Sequence, residues 1–341
     1  MKRRNFLKFS SASVAAMLAG TTGLLSWIPR SHAATINRTI HITEGTITQA
    51  DGVDVYFRGF SNNSNSLAVP GEPIIVQEGD TVNITIVNTL GTSHNFTIDG
   101  YEDDNGDPVD IGLIRAGNTA RISFIAGNPG TYLYHDARNA PYNRLSGLHG
   151  GFAVMPSGRS NQLFRGSRTF VQQHFWIFHD IDPVWHNNSF ASNRIPARAY
   201  SPRYFTINGL GGRPPGAPGN GDPNLDAMHD PRSALHGHVG DRTLLRILNP
   251  GLCQSAVHTH ANHMEWLTDN GQTRNDVWLK DIIYLEGDMG KIDAIFPFEA
   301  PPDAWPRVST GTYPMHLHTE MSQTSGGGLY MFGSLTDIYF E

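Results

Sequence analysis

The chain has 341 residues and a formal net charge of −6, and its length predicts two domains of roughly 150 residues each. Lysine and arginine do not cluster beyond the first few residues, which argues against nucleic acid or an anionic membrane surface as the main partner. Glycine (36) and proline (21) are abundant, which is typical of many short strands joined by turns. The single cysteine, Cys253, excludes an internal disulfide framework.

Residues 1–33 are predicted to be a twin-arginine signal peptide. Arg3 opens the motif Arg-Arg-Asn-Phe-Leu-Lys, an apolar stretch follows over residues 12–25, and small residues precede the expected cleavage after Ala33. A membrane anchor is the alternative, but glycines and a proline interrupt the segment, which is short for a span. We therefore expect export to the periplasm or another extracytoplasmic space, with no membrane span left after the signal is removed.

Two stretches of the remaining chain follow the same pattern. Residues 74–88 and 237–249 each place a Gly-Asp turn before a β-rich run that ends at asparagine. Downstream, a Gly-Thr-Tyr strand ends in His135 in the first stretch and reaches His316 in the second, and glycine-rich segments follow both. This shared order over about 100 residues indicates a duplication. The sequence thus predicts an all-β fold of two Greek-key β-sandwich domains, residues 34–158 and 159–341.

Histidines supply the candidate metal site. His258 and His260, and likewise His316 and His318, are spaced i, i+2, so each pair points to one face of a strand. His135 occupies the place that His316 has in the second half, and His94 stands alone. Imidazole suits copper, zinc, iron or nickel, whereas calcium and magnesium prefer oxygen ligands. The predicted metal ligands are His94, His135, His258, His260, His316 and His318.

With these motifs the chain resembles the superfamily of multicopper oxidases and copper nitrite reductases, in its two-domain form. The resemblance rests on the segment that begins at Asp241, on the strand that ends at His135, and on the motif Tyr-Pro-Met-His-Leu-His that ends at His318. It implies two cupredoxin-like domains, copper as the cofactor, dioxygen or a small molecule as the substrate, and a homotrimer with copper between subunits.

The chain departs from this superfamily at the blue (type 1) copper site, which requires a cysteine. Asp136 follows His135, Leu317 separates the last two histidines, and Cys253 lies in another segment. The family's trinuclear copper cluster uses four His-x-His pairs, whereas this chain has two pairs and two single histidines. We therefore expect a histidine-only copper site for one or two ions.

These features lead to one function hypothesis and two alternatives. The leading hypothesis is an exported copper oxidoreductase that lacks type 1 copper, so that a reductant must deliver electrons directly to the histidine site. A non-catalytic periplasmic protein for copper binding, delivery or scaffolding is the alternative. A zinc hydrolase stays open as a third class, because imidazole alone does not select the metal.

Overall fold

A computed structural model of the chain describes residues 24–25, 32–49, 51–158, 161–192, 195–211, 230–301, 308–325 and 333–341. Most of the predicted signal peptide therefore lies outside the described residues. Its described part includes β1 (Leu24–Leu25), which pairs antiparallel with strand β11 (Gln172–Ile181). Within the described ranges, no helix is both long and apolar enough to cross a membrane.

The first half of the chain folds into two sheets that face each other. Their strand orders are β3-β2-β5-β8 and β4-β10-β9-β6-β7. In β5, inward residues such as Val82, Ile84 and Ile86 alternate with more exposed ones, because successive side chains of a strand point to opposite faces. They pack against Phe152 and Val154 from the opposite sheet. The strands are β2 (Thr35–Thr48), β3 (Asp54–Ser61), β4 (Gly71–Gln77), β5 (Thr81–Asn88), β6 (Thr97–Glu102), β7 (Pro108–Asp110), β8 (Thr119–Ile125), β9 (Gly130–His135) and β10 (His149–Met155).

The second half also forms two sheets. One has the order β1-β11-β14-β19-β16-β17, with β12 pairing with β11, and the other has the order β13-β21-β20-β15-β18. Besides β11, the strands are β12 (Tyr204–Ile207), β13 (Leu235–Gly237), β14 (Arg242–Asn249), β15 (Ser255–Thr259), β16 (Met264–Asp269), β17 (Gln272–Lys280), β18 (Ile282–Leu285), β19 (Gly290–Pro297), β20 (Gly311–Leu317) and β21 (Leu335–Phe340). The structure is thus an all-β fold of two sandwiches, as the sequence predicts.

The two sandwiches repeat one topology. In the first, β2 and β5 pair in parallel, and so do β4 and β10. In the second, the corresponding parallel pairs are β11 with β14 and β13 with β21. The antiparallel neighbours β9 and β6 likewise correspond to β20 and β15. The sequence repeat therefore has a structural counterpart, while the predicted boundary between residues 158 and 159 stays a prediction.

Three helices complete the described fold, and two of them lie where the sandwiches meet. Tyr142 and Leu145 of α1 pack against Trp185 of α2. Apolar contacts also join the sandwiches, with Leu133 and Ala153 of the first packed against Phe175 of the second. The junction also buries several histidines, among them His149, His179 and His186. The helices are α1 (Tyr142–Leu145), α2 (Pro183–Ser192) and α3 (Glu320–Gln323).

Candidate metal site

The centre of the candidate site is a cross-strand pair of histidines. Strands β15 and β20 run antiparallel with His258 directly opposite His316. Val257 and Leu317 are buried on the core side of the same strands, so alternation turns the histidines to the other face of the sheet. His260 and His318 follow two residues after these histidines and extend the same face. The local strand pattern therefore brings both predicted His-x-His pairs together.

Ring nitrogens of three of these histidines, His258, His260 and His316, converge, and His318 adjoins His258. His258 Nδ1 lies 3.2 Å from His316 Nε2 and 2.9 Å from His318 Nε2. His260 Nε2 lies 3.4 Å from His316 Nε2. Two nitrogens that bind one ion tetrahedrally, each about 2.0 Å from it, are about 3.3 Å apart. The donor set fits a copper or zinc ion at this point, since ligand atoms of His258, His260 and His316 all lie within 4.8 Å of one another.

Burial keeps the imidazoles of His258, His260 and His316 uncharged at neutral pH. Desolvation, reinforced by the neighbouring His260 and His318, lowers the pKa of His258 to about 4. Desolvation, with the three surrounding histidines, also lowers the pKa of His316 to about 4. The pKa of His260 is lowered for the same reasons. Neutral imidazole is the form that binds a metal, so the cluster is in its ligating state.

The histidine cluster opens into a solvent-accessible cleft of roughly 730 Å³. His258, His260 and His263 line it, and its other walls carry three carboxylates and one guanidinium. The Asp281 carboxylate is the nearest charge to His258, with 3.9 Å between Oδ2 and the imidazole Nε2. A small molecule in this cleft would reach the ligand histidines directly. The charged lining residues are Arg168, Glu265, Asp281 and Glu299.

His135 lies on the first sandwich, outside the group of converging ligand atoms. It ends β9, opposite His149 of β10, and its side chain is largely buried. Burial is the main cause that lowers its pKa, and the Arg144 guanidinium adds to the effect, whereas the Asp99 carboxylate opposes it. His135 therefore carries a neutral imidazole near a carboxylate, and its role as a ligand stays a prediction.

His94 is fully buried, and both of its ring nitrogens are in hydrogen bonds. Nδ1 lies 2.7 Å from the Asp136 carboxylate, and Nε2 lies 2.9 Å from the Thr92 hydroxyl. Asn143 donates a second bond of 2.9 Å to Asp136. Metal binding by His94 would require Thr92 to move, and this predicted role is untested. Asp136, at the position where the family resemblance implies a blue-site cysteine, is instead the centre of a closed polar network.

Three further histidines, His149, His179 and His186, lie close together in the interior. The structure places His149 on strand β10 and packs it against His179. These histidines come from three separate elements, so no short spacing in the sequence could have linked them. Cys253 lies beside the buried Asp180 carboxylate, away from the four converging histidines.

Comparisons with known proteins agree with this fold. A family model described as multicopper oxidase matches residues 41–159. The copper-containing nitrite reductase of Pseudomonas chlororaphis is 24% identical over 61% of this chain and 57% of its own length, and that of Alcaligenes xylosoxydans xylosoxydans is 22% identical over 69% of this chain and 70% of its own. The chain thus spans little more than half the length of the first of these relatives.

Solved structures show the same fold. The blue copper oxidase of Nitrosomonas europaea superposes with a TM-score of 0.71 at 20% identity, over 89% of this chain and 85% of that one. The copper nitrite reductase of the same organism gives 0.61 at 19% identity, over 90% and 94%. Fold and site together define a two-sandwich protein of the cupredoxin type. The chain is similar to multicopper oxidases over residues 41–159 and to copper nitrite reductases over much of its length, and both of these families bind copper.

Proposed function

We propose that this protein is an exported copper oxidoreductase whose copper is held by histidines alone, at His258, His260, His316 and His318. The observation that carries the proposal is the convergence of the ring nitrogens of His258, His260 and His316 on one face of the second sandwich, with His318 Nε2 2.9 Å from His258 Nδ1. The superfamily relatives that reduce nitrite support copper over zinc as the metal. Copper, when bound, supplies one-electron redox chemistry.

The residues in and around the cluster bind the metal, orient its ligands and let small molecules reach it. The neutral imidazoles provide lone pairs. His258 and His316 both lie on strands rather than on loops, and the pairing of these strands holds them opposite each other. Asp281 stands beside His258, where a carboxylate favours a bound cation. The open cleft lets a small reductant, and then dioxygen or nitrite, approach the same histidines.

The absence of a type 1 site is supported by the Asp136 network. A blue copper site needs a thiolate, and Asp136 instead accepts hydrogen bonds from His94 and Asn143 in the buried interior. The Leu317 side chain, at the other candidate position, is packed in the core. Electrons would therefore enter at the four-histidine cluster itself. This distinguishes the protein from relatives named for a blue copper site.

Two further parts of the proposal concern location and assembly. The twin-arginine motif supports export of the folded protein to the periplasm or another extracytoplasmic space. A homotrimer is supported by the two predicted ligands on the first sandwich, because His135 lies apart from the converging cluster of its own chain. In such an assembly, His135 of a neighbouring copy would add a further imidazole to the cluster. Analytical ultracentrifugation of the mature protein measures the assembly directly.

The test combines metal analysis with a redox cycle. The purified protein is loaded with copper, examined by electron paramagnetic resonance, reduced without oxygen, and then exposed to oxygen or nitrite. We expect a copper signal with ordinary hyperfine splitting, no intense blue absorption, and reoxidation by one of the two acceptors. His258→Ala combined with His316→Ala removes the opposed pair and should abolish the signal. His238→Ala, on an exposed histidine, is the matched control.

Each result separates the candidate functions. Bound copper that is never reoxidised rejects an oxidoreductase and favours the alternative of copper binding or delivery. Zinc retained in preference to copper, with hydrolytic activity, would reject copper as the cofactor. A protein that binds neither metal, although its fold is intact, would contradict the whole proposal.

A further inference from the structure

The cleft beside the histidine cluster carries more negative than positive side chains. Its lining includes the carboxylates of Glu265, Asp281 and Glu299 and the single guanidinium of Arg168. Apolar side chains also line it, among them Leu279, which is 61% exposed. A cleft of roughly 730 Å³ that combines apolar walls with a few polar groups has the size and composition of a small-molecule site. Its excess of carboxylates favours an organic molecule that carries positive charge.

Glu265 differs from the other two carboxylates because its side chain is only 6% exposed. It lies on β16 directly opposite Leu279 of β17, so both side chains stand on the same face of the sheet, towards the cleft. Desolvation raises the pKa of Glu265, and the Arg168 guanidinium opposes that rise. A carboxylate taken out of water in this way is stabilised by hydrogen-bond donors to its two oxygens.

Only one of these two oxygens has a donor among the described residues. Glu265 Oε1 lies 2.6 Å from Arg168 Nε, whereas Oε2 is buried and has no hydrogen-bond partner in the described ranges. The pair is therefore not the two-bond fork that arginine and a carboxylate frequently form. A buried acceptor left in this state destabilises the protein until a donor reaches it.

Arg168 is the exposed member of the pair. Its side chain is 62% exposed, and an ion pair with so exposed a partner contributes little because water competes for the guanidinium. Arg242 also acts on Glu265, but its Nε donates to the Thr169 carbonyl at 2.9 Å and it does not line the cleft. Arg168 can therefore turn out to solvent and leave Glu265 to another cation.

We propose that the cleft binds an organic cation, a small molecule whose ammonium group displaces Arg168 and donates to both oxygens of Glu265. An ammonium has three N–H donors, so it can satisfy Oε2 as well as Oε1. Glu265 belongs to one sheet of the second sandwich and His258 to the other, so a molecule anchored at the carboxylate extends along the cleft towards the histidines. Its role as the reductant rests on the function proposed above, whereas its binding does not depend on copper.

Glu265 and Arg168 then have opposed roles in the same cleft. Glu265 determines specificity by accepting the ammonium, and Arg168 competes with the ligand for that carboxylate. Both side chains lie outside the group of converging ligand atoms, so substitutions here leave the proposed metal ligands in place.

Three catechols of nearly equal size test the charge preference. Dopamine carries an ammonium, 3,4-dihydroxyphenylethanol a hydroxyl, and 3,4-dihydroxyphenylacetate a carboxylate. Their binding to the metal-free full chain is measured at neutral pH by isothermal titration calorimetry, so that neither oxidation nor metal ligation contributes. We expect dopamine to bind about tenfold more tightly than the neutral catechol, the gain typical of a hydrogen bond between charged groups, and the anion to bind more weakly than both.

Two substitutions should change the affinity in opposite directions. Glu265→Gln keeps the size of the side chain but removes its charge, and it should abolish the preference for dopamine over the neutral catechol. Arg168→Gln removes the competitor and should tighten dopamine binding about threefold while the neutral catechol is unaffected. Asp269→Asn on the same strand and Arg165→Gln in the same connecting segment are the matched controls, because neither residue lines the cleft. Circular dichroism checks that each variant is folded.

Tighter dopamine binding in Arg168→Gln, together with loss of the preference in Glu265→Gln, supports the proposal. Equal affinity for the three catechols overturns it, as does a preference that Glu265→Gln leaves intact or dopamine binding that Arg168→Gln weakens. If Glu265→Gln fails to fold, the direction of the change in Arg168→Gln decides the question, since Arg168 is exposed. A cation-selective cleft in a protein whose copper is never reoxidised supports this proposal and rejects the oxidoreductase, so the two can fail independently.

Discussion

A single buried carboxylate organises the part of the first sandwich where a blue copper site would lie. Asp136 is fully buried and accepts hydrogen bonds from His94 Nδ1 and from the Asn143 amide. It also accepts the backbone N–H of Arg138, at 2.8 Å. An ionised group taken out of water is tolerated only when several donors surround it. Asp136, at the position where the family resemblance implies a cysteine, therefore has a structural role in this chain.

Replacing Asp136 by alanine should destabilise the protein. The change leaves the N–H groups of His94 and Asn143 buried without an acceptor, and each such group costs about 1–3 kcal/mol. We expect a loss of about 2–4 kcal/mol in the free energy of unfolding, measured by urea denaturation of the apoprotein. Asp104→Ala, on an exposed loop, is the control and should cost less than about 0.5 kcal/mol. Equal stability of the two variants would show that the network contributes nothing.

At the scale of single elements, successive side chains at the end of strand β20 point to opposite faces, so that one packs in the core and the next faces the metal site. Leu317 is buried in the core, whereas His318 projects to the metal face and reaches His258. Adjacent residues of one strand thus have unrelated tasks. The same holds in β15, where Val257 lies in the core beside His258.

Substitution of these two neighbours should give opposite results. Leu317→Ala removes a core side chain and should cost about 2–5 kcal/mol of stability while the copper stoichiometry is unchanged. His318→Ala should leave stability within about 0.5 kcal/mol and weaken copper binding at least about tenfold, since second and third ligands multiply affinity. Urea denaturation and competition with a chromophoric chelator measure the two effects. A loss of affinity in Leu317→Ala as large as in His318→Ala would contradict this division.

The elements also show what the sequence could predict. The i, i+2 pairs needed only the period of a strand, whereas the pairing that sets His316 opposite His258 joins segments 58 residues apart, which no spacing in the sequence predicts. The two-sandwich fold followed from the same repeat. The bonds of His94 depend on Asp136, which is 42 residues away. The interior histidines lie on three elements that only the packing of two sandwiches brings together, and no local pattern records that packing.

At the scale of the whole molecule, one buried arginine ties the sandwiches together. Arg246 of β14 has no exposed surface, and its Nε donates to Gln173 Oε1 at 2.8 Å. Its guanidinium also donates to Thr131 and to Met155 Sδ in the first sandwich, and it lies 3.6 Å from the Asp293 carboxylate. The charge is satisfied from both halves, so the junction is more specific than its apolar contacts alone would make it.

Arg246→Met tests this junction. The variant leaves the buried Asp293 without its cationic partner, and breaking a buried pair in this way typically costs about 3–5 kcal/mol. Urea denaturation should show that loss. Arg242→Met removes an arginine on the same strand whose side chain is more exposed, and it should change stability by less than about 1 kcal/mol. If Arg246→Met is no less stable than Arg242→Met, the guanidinium is not what holds the sandwiches together.

Buried histidines also make the stability of the whole fold depend on pH. Desolvation lowers the pKa of His149 and of His174 to about 3 and that of His186 to about 4, and it holds the pKa of His179 well below its usual range. In the unfolded chain these imidazoles bind protons below about pH 6.5, while in the folded protein they do not. Stability is therefore fully present above that pH and falls as the pH drops towards the folded pKa values.

His174 isolates this effect because it is fully buried and does not belong to the candidate metal site. A single histidine of this kind contributes up to about 1.4 kcal/mol per pH unit below about pH 6.5. We expect copper-free protein to lose stability between about pH 7 and about pH 5.5 in urea denaturation, and His174→Gln to show a smaller loss. His238→Gln, which changes an exposed histidine, should behave like the parent chain. A pH dependence unchanged by His174→Gln would mean that this imidazole binds protons equally in the folded and unfolded chain, which contradicts the desolvation of its site.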